Sequence, residues 1–336
     1  MKHVYRNIFV TGGSGFIGSN LILELVRNNY TVSALMREGS SHPLLEAVPY
    51  KKMQGDLFSH DVLDIAIKDC DVVIHCAAVV SFDEKNWRET YHVNVTGSEN
   101  ILKAALKHQK KVVFVSTAST CGAPQQHPQI MDETTQYSFK EKNPYTHSKH
   151  IAEKHLQQYV KKGLDAIIVN PSTVYGKGDI NGTGAALYTL MEKYPIFVAP
   201  PGGCSVIAVQ DVVAGIIAAL TKGKKGEKYI LTAENISYYH LFMMLRKTIR
   251  KSTMPLMKVP KFVESPCAKI LQLLKMQSNI ITPSVLSYLF NYRYLDNSKA
   301  KRVLGWKPQM AIEQAIEEGY TFYMKERQAR DNGNKQ

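Results

Sequence analysis

The 336-residue chain has little that would place it in a membrane or an oxidising compartment. Its longest clean apolar stretch, near Val212–Leu220, holds about nine residues, half of the roughly 18 that a membrane-spanning helix needs. The opening MKHVYRNIFV lacks the apolar core and cleavage site of a secretion signal, because a β-branched run begins almost at once. The expected location is the cytoplasm. Cysteine is scarce and scattered. Cys70, Cys76, Cys121, Cys204 and Cys267 are odd in number, form no CxxC pair and have no histidine at ligand spacing, so neither a disulfide framework nor a zinc site is expected. Internal repeats are absent, and the polar end, ARDNGNKQ, is expected to fray.

Acidic residues are scarce in one place. Lys and Arg total 42 against 29 Asp and Glu, and nearly all of the imbalance lies in residues 221–336, which hold 21 basic and 9 acidic side chains. That third presents a solvated basic surface or faces something anionic, such as the surface of a membrane it touches peripherally. With no recognisable binding motif and no regular basic-aromatic interleaving, nucleic acid is not an expected partner. The remaining composition, 44% hydrophobic and 21% charged, is that of a globular chain forming one large or two moderate domains.

What the sequence does have is alternation. The runs NIFVTG, TVSALMR, DVVIHCAA, KVVFVST and DAIIVNPS, with SVIAVQD and EKYILT less clearly, read as strands. Amphipathic stretches such as SNLILELVRNN, GSENILKAALKHQ and SKHIAEKHLQQYVKK lie between them. Strand, helix and strand at this spacing predict an α/β fold with a doubly wound parallel sheet covered on both faces. After about Tyr175 the regularity weakens into Gly- and Pro-rich pieces and a long segment, Met254 to Leu295.

Four glycines, Gly12, Gly13, Gly15 and Gly18, fall in TGGSGFIG between the first strand and the first helix. They fit GxGxxG from Gly13 or GxxGxxG from Gly12. In that setting glycine lets backbone approach a pyrophosphate, whose charge meets the unpaired N–H groups at the helix N-terminus. The second strand bears on the choice of dinucleotide. NAD-selective folds usually end it with an acid for the ribose 2′-OH, whereas TVSALMRE has Arg37 there. A guanidinium suits a 2′-phosphate, which favours NADP(H). Glu38 keeps NAD(H) open.

NPYTHSKHIAEKHL places Tyr145 and Lys149 four apart on one face of a helix, with Pro144 in its first turn. An ammonium near a phenol favours phenolate, so the pair is a tunable proton donor and acceptor.

With the glycine turn, these residues make the chain resemble the extended short-chain dehydrogenase/reductases, the branch that includes NAD-dependent epimerase/dehydratases and dihydroflavonol-reductase-like and hydroxysteroid-dehydrogenase-like enzymes. The likeness runs over most of residues 5–325, through VTGGSGFIGSNL, GDL, HCAA, NVTGSENIL, VFVSTAS, YTHSK, NPSTVYGKGD and LDNSKAKRVLGWKP. It implies a Rossmann domain over residues 1–175 with returning segments near 204–232. A smaller, mostly C-terminal substrate-binding region would take 176–203 and 233–325, leaving 326–336 as a tail. It also implies Thr117, Tyr145 and Lys149 as catalytic residues: Thr117 bonding the substrate oxygen, Tyr145 transferring the proton, and Lys149 holding the nicotinamide ribose and lowering the tyrosine pKa. The cofactor would further meet Gly12, Gly15, Phe16, Ile17 and Arg37. Asp56 and Leu57 would lie at the adenine, Ala77 and Ala78 beside the ribose and phosphates, and Pro171 and Ser172 near the nicotinamide.

Asn94 would tie the central strands together, and Asp211 reads as a helix N-cap. Cys121, where many relatives have tyrosine, reads as a small buried residue. His75, ending a buried strand, and His147, on another helix face, are not assigned catalysis.

Two reactions use this apparatus. In one, NADPH reduces a ketone or aldehyde and Tyr145 protonates the oxygen. In the other, tightly bound NAD transiently oxidises a nucleotide sugar, giving an epimerase or dehydratase. A third possibility is a cofactor sensor without turnover, against which the intact Thr117, Tyr145 and Lys149 argue. Nucleotide-sugar enzymes of this branch commonly carry arginines for the diphosphate, yet after VNPSTVYGKGD no arginine follows until Arg246. Reduction of a small-molecule carbonyl is therefore favoured. The Leu-, Ile-, Phe- and Met-rich segment from Met254 to Phe290 would form part of a lid over an apolar substrate. A homodimer is expected by analogy only.

Overall fold

The structure, a computed structural model, describes residues 5–123, 125–138, 143–194, 198–250, 254–263 and 283–333. Its strands are β1 (Asn7–Thr11), β2 (Thr31–Met36), β3 (Lys51–Gln54), β4 (Val72–His75), β5 (Lys111–Val115), β6 (Ile130–Met131), β7 (Ala166–Pro171), β8 (Thr173–Tyr175), β9 (Val198–Ala199), β10 (Gly203–Ala208), β11 (Lys228–Leu231), β12 (Glu234–Ser237), β13 (Met257–Lys258) and β14 (Tyr292–Leu295). The helices are α1 (Phe16–Arg27), α2 (His60–Asp69), α3 (Trp87–Tyr91), α4 (Ser98–Lys107), α5 (Pro144–Lys161), α6 (Thr183–Lys193), α7 (Val209–Lys222), α8 (Tyr238–Arg250), α9 (Pro283–Phe290) and α10 (Ile312–Gly333).

The continuous apolar runs become strands buried on both faces. With the exposed edge strand β3 they form a seven-stranded parallel sheet in the order β11-β7-β5-β4-β1-β2-β3. Successive side chains point to opposite faces. Ile8, Val10, Val72, Ile74, Val113 and Val115 join a core under α1 and α7, while Phe9, Val73, Val112 and Phe114 join a second core under α2, α4 and α5. Each fully buried side chain of this size contributes about 1.5–3 kcal/mol, so the two cores dominate stability. β3 carries no strand signal in the sequence, because Lys51, Lys52 and Gln54 are exposed on an edge strand.

The SVIAVQD stretch behaves differently. Its first part is β10, which lies in a second sheet, β12-β10-β14-β6, where it also pairs with β8. Its last residues already belong to α7. α6, α8 and α10 cover this sheet through Tyr188, Leu241, Leu245, Ile312 and Ile316. β9 and β13 form a separate two-stranded ribbon. Residues 264–282 of the expected lid lie outside the described residues.

Three expectations are corrected. The stretch ARDNGNKQ, expected to fray, is helical in α10 as far as Gly333, and its last three residues lie outside the described residues. Asp211 does not cap α7, whose N-cap is Ala208. From the first turn its carboxylate accepts the backbone N–H groups of Gln309 (2.8 Å) and Met310 (3.1 Å), just ahead of α10. Asn94 lies in a π-helical segment, His92–Gly97, between α3 and α4. It ties the loop after β4 to α5 rather than strand to strand, exchanging bonds with Val79 (2.8 and 2.9 Å) and donating to the Ser148 hydroxyl (3.0 Å).

No helix among the described residues is long and apolar enough to cross a membrane.

Candidate active site

Because the main sheet is parallel, every loop leaving the C-terminal end of a strand emerges at one edge, and the order of connections reverses between β1 and β4. A crevice at such a reversal is where open α/β sheets bind ligands. The glycine turn sits there. Gly12 has φ +73°, and a Cβ on it would lie 2.6 Å from the Ala77 backbone nitrogen. A Cβ on Gly18 would fall 2.1 Å from the Gly12 carbonyl oxygen. The N-cap of α1 is Gly15, which has no side chain to satisfy the amides of the first turn, where Phe16 and Ile17 stand. Tight backbone with open N–H groups fits a dinucleotide pyrophosphate.

Around this turn lie the other expected cofactor residues. Arg37 and Glu38 follow β2 and are exposed, and among the described residues the Arg37 guanidinium has no hydrogen-bond or ion-pair partner. Asp56 follows β3 and accepts from the Phe58 N–H (2.8 Å) and Ser59 hydroxyl (3.1 Å), while the buried Leu57 takes a bond from Asn100 on its carbonyl (2.9 Å). After β4, the Ala77 N–H donates to the Thr11 hydroxyl at 3.3 Å, and Ala78 is exposed. Pro171 ends β7, and the Ser172 hydroxyl donates to Thr232 at 3.0 Å.

His75 is a satisfied core residue. Its Nδ1 is 2.7 Å from the Thr11 hydroxyl and its Nε2 2.9 Å from that of Ser98. Burial, with help from the Lys149 charge, pushes its pKa down to about 3. His147 faces the Trp87 ring, 5.4 Å between centroids. Cys121 is buried, its thiol pushed up to about 12 by burial, and Cys70, Cys76 and Cys204 are likewise free. Cys267 lies outside the described residues.

Thr117, Tyr145 and Lys149 converge beside the crevice. Thr117 leaves β5 in extended conformation and caps a short turn by accepting the Ser119 N–H at 3.2 Å. α5 begins under an Asn143 cap with Pro144 at its start. Its Tyr145 N–H bonds the Ser81 carbonyl at 3.2 Å, and its phenol stands next to the Thr117 side chain. Burial raises the Tyr145 pKa to about 12, with Thr117 opposing.

The expected lowering of Tyr145 by Lys149 is not present. Lys149 is fully buried, and its ammonium is spent on the Val115 carbonyl (2.8 Å) and the face of the Phe114 ring (4.3 Å). Burial brings Lys149 itself down to about 8, opposed by the charge of Glu153.

The sequence reading missed two groups. Glu153 is buried one turn beyond Lys149, where continuing the four-residue spacing would have found it. Arg293, on β14, donates to the Ser119 hydroxyl at 2.9 Å and stacks its guanidinium 5.1 Å from the Tyr288 ring centroid, within the second sheet but beside the Thr117 turn. No local pattern marks it, because the chain returns from a distant segment.

A parallel sheet with a glycine turn after its first strand and a Thr-Tyr-Lys group at the same edge defines a Rossmann-type dinucleotide-dependent enzyme fold. The chain belongs to the NAD dependent epimerase/dehydratase family of extended short-chain dehydrogenase/reductases, whose family model matches residues 8–232. It is 33% identical over 330 residues, 94% of each chain, to a Synechocystis protein named for dihydroflavonol 4-reductase. Another relative is sterol-4-alpha-carboxylate 3-dehydrogenase, decarboxylating, of Dictyostelium discoideum, at 26% identity over 93% of this chain and 99% of that one. Among solved structures, that of gox2253 matches with a TM-score of 0.81 and 28% identity, covering 95% of this chain and 98% of the other.

Proposed function

We propose that this chain reduces a ketone or aldehyde to an alcohol, with NADPH favoured over NADH. What supports the reading is the placing of the Tyr145 phenol against the Thr117 side chain, with Lys149 one turn further along the same helix. A substrate carbonyl oxygen set between the two hydroxyls accepts from both. A phenol pushed up to about 12 is protonated near neutrality, so Tyr145 enters the reaction as an acid and gives its proton to the oxygen as negative charge develops. The Thr117 hydroxyl then steadies the phenolate. Lys149 keeps a positive charge on the same side of α5.

A nicotinamide cofactor, when bound, supplies the hydride. The residues fitted to hold it are the backbone of Gly12, Gly15, Phe16 and Ile17 at the pyrophosphate, Arg37 at a 2′-phosphate, Asp56 and Leu57 at the adenine, and Ala77, Ala78, Pro171 and Ser172 along the crevice.

The names of the two relatives support a polycyclic, largely apolar substrate. A second reading, epimerisation or dehydration of a nucleotide sugar, is favoured by Arg293, whose guanidinium beside the Thr117 turn suits an anionic group. One experiment separates the two: NADPH absorbance with flavonoid-like, steroid-like and aliphatic carbonyl compounds, beside product analysis with nucleotide sugars. Net NADPH consumption by a carbonyl is the expected result. A converted nucleotide sugar with no net cofactor change would establish the second reading.

A further inference from the structure

Along one face of α5 every fourth residue carries chemistry: Tyr145, Lys149 and then Glu153. The proton transfer described above leaves Glu153 without a task. Its side chain is buried, and its Oε1 receives three hydrogen bonds: from the Ser116 hydroxyl at 2.5 Å, the Thr120 hydroxyl at 2.7 Å and the Asn170 amide at 2.8 Å. Three donors converging on one oxygen suit an ionised carboxylate, which only accepts.

Every one of those donors adjoins Thr117. Ser116 precedes it in the chain. The Thr120 hydroxyl lies 2.9 Å from the Thr117 carbonyl, and the Asn170 amide nitrogen reaches the same carbonyl at 3.0 Å. The two amide hydrogens of Asn170 are shared among Glu153, the Thr117 carbonyl and the Thr120 hydroxyl, the last also at 3.0 Å. Glu153 grips the turn from behind while the Thr117 hydroxyl faces Tyr145 from the front.

The charge arrangement points the same way. The titratable groups acting on Lys149 are Glu153 from its own helix and His75 and Cys76 from the end of β4 and its exit. Burial keeps the two from β4 neutral, pushing His75 down to about 3 and Cys76 up to about 12. Glu153 remains as the countercharge. A buried ammonium with no negative charge near it is costly.

We propose that Glu153 is a positioning residue: its carboxylate fixes the Ser116–Thr120 turn that aims Thr117 at Tyr145, and it supplies the negative charge against which the Lys149 ammonium sits in the core. The proposal rests on the assignment of Tyr145 as proton donor.

Two substitutions separate its parts. Glu153→Gln keeps an acceptor oxygen of the same reach and removes the charge. Thr120→Val keeps the charge and removes the hydroxyl that reaches Glu153, the Thr117 carbonyl and the Asn170 amide. The first measurement needs no substrate: in protein labelled with nitrogen-15 lysine, the Nζ signal of Lys149, assigned by its loss in Lys149→Arg, is followed against pH. Its midpoint is expected about one pH unit lower in Glu153→Gln than in the wild type. Coincident titrations would overturn the countercharge.

The second measurement is kcat with a carbonyl compound that the wild type reduces. Thr120→Val is expected to lower kcat about tenfold with KM unmoved, and Thr120→Ser to restore it. An unchanged kcat in Thr120→Val overturns the positioning role, and this pair decides that role even where Glu153→Gln fails to fold. Tyr145→Phe in the same assay keeps the two failures apart. If Tyr145→Phe remains active, the proton-donor assignment falls. If it is inactive while Glu153→Gln and Thr120→Val match the wild type in both measurements, only the present proposal falls.

Discussion

The Tyr145 phenol on α5 and the hydroxyl of Thr117, in the turn that follows β5, are near neighbours, Thr117 opposing the upward shift of the phenol. In the proposed reaction one of these oxygens would give the proton and the other would orient it. Tyr145→Phe is therefore expected to lower kcat for carbonyl reduction about 10²–10⁴-fold while leaving NADPH affinity within about twofold, since only the proton-bearing oxygen is lost. Thr117→Val, which keeps that proton, should lose about tenfold to a hundredfold. Steady-state kinetics with a fluorescence titration of NADPH checks both, and a fully active Tyr145→Phe would refute the assignment.

The Arg37 guanidinium stands exposed just after β2 with no partner among the described residues. Arg37→Ala should weaken NADPH binding roughly tenfold, the loss of one charge-assisted hydrogen bond of about 1.4 kcal/mol, and leave NADH binding unchanged. Calorimetric titration with each cofactor measures the difference. Equal affinities of wild type and variant for NADPH would remove the basis for preferring it.

Gly12 and Gly39 both have positive φ, at +73° and +68°, but a Cβ on Gly39 meets nothing within 4 Å, whereas one on Gly12 collides with the Ala77 backbone. Gly39→Ala should cost only the conformational strain, about 1–2 kcal/mol. Gly12→Ala adds a clash that backbone must move to relieve, so it should lose more stability and also cofactor affinity. Urea unfolding of the pair compares them directly.

His75 titrates at about 3 in the folded chain, against an ordinary value of 6.5. Below pH 6.5 the unfolded chain takes up a proton that the folded chain refuses, so stability falls as pH drops through the window from 6.5 towards 3. The slope from this group is about 1.4 kcal/mol per pH unit, or about 2 kcal/mol between pH 6.5 and 5. His75→Gln should show a correspondingly shallower loss between those two pH values. Parallel losses in wild type and variant would contradict the expectation.

The parallel sheet was legible because β1, β4, β5 and β7 are buried on both faces and so read as unbroken apolar runs. β3 was not, since an edge strand of exposed Lys51, Lys52 and Gln54 has no such period. The glycine turn and the Tyr145–Lys149 spacing are local patterns, visible within a few residues. Arg293 and Asp211 act on partners far along the chain, Ser119 and Gln309 among them, and long-range contacts of single side chains leave no local mark. The effect of Lys149 on Tyr145 was misjudged for another reason: spacing gives a shared face but not where an ammonium finds its carbonyl.

Arg293 and Tyr288 reach the Thr117 turn and the start of α5 from a segment more than a hundred residues further along, the bonds being 2.9 Å to Ser119 and 3.4 Å between the Tyr288 and Thr146 hydroxyls. On the proposed function, proton handling would be encoded in one stretch of the gene and part of what meets the substrate in another. The two are inherited apart yet joined in space: a change at 288–293 made to admit a new molecule would also reach the turn that holds Thr117 and the helix start that holds Tyr145, so guests and chemistry would have to evolve together.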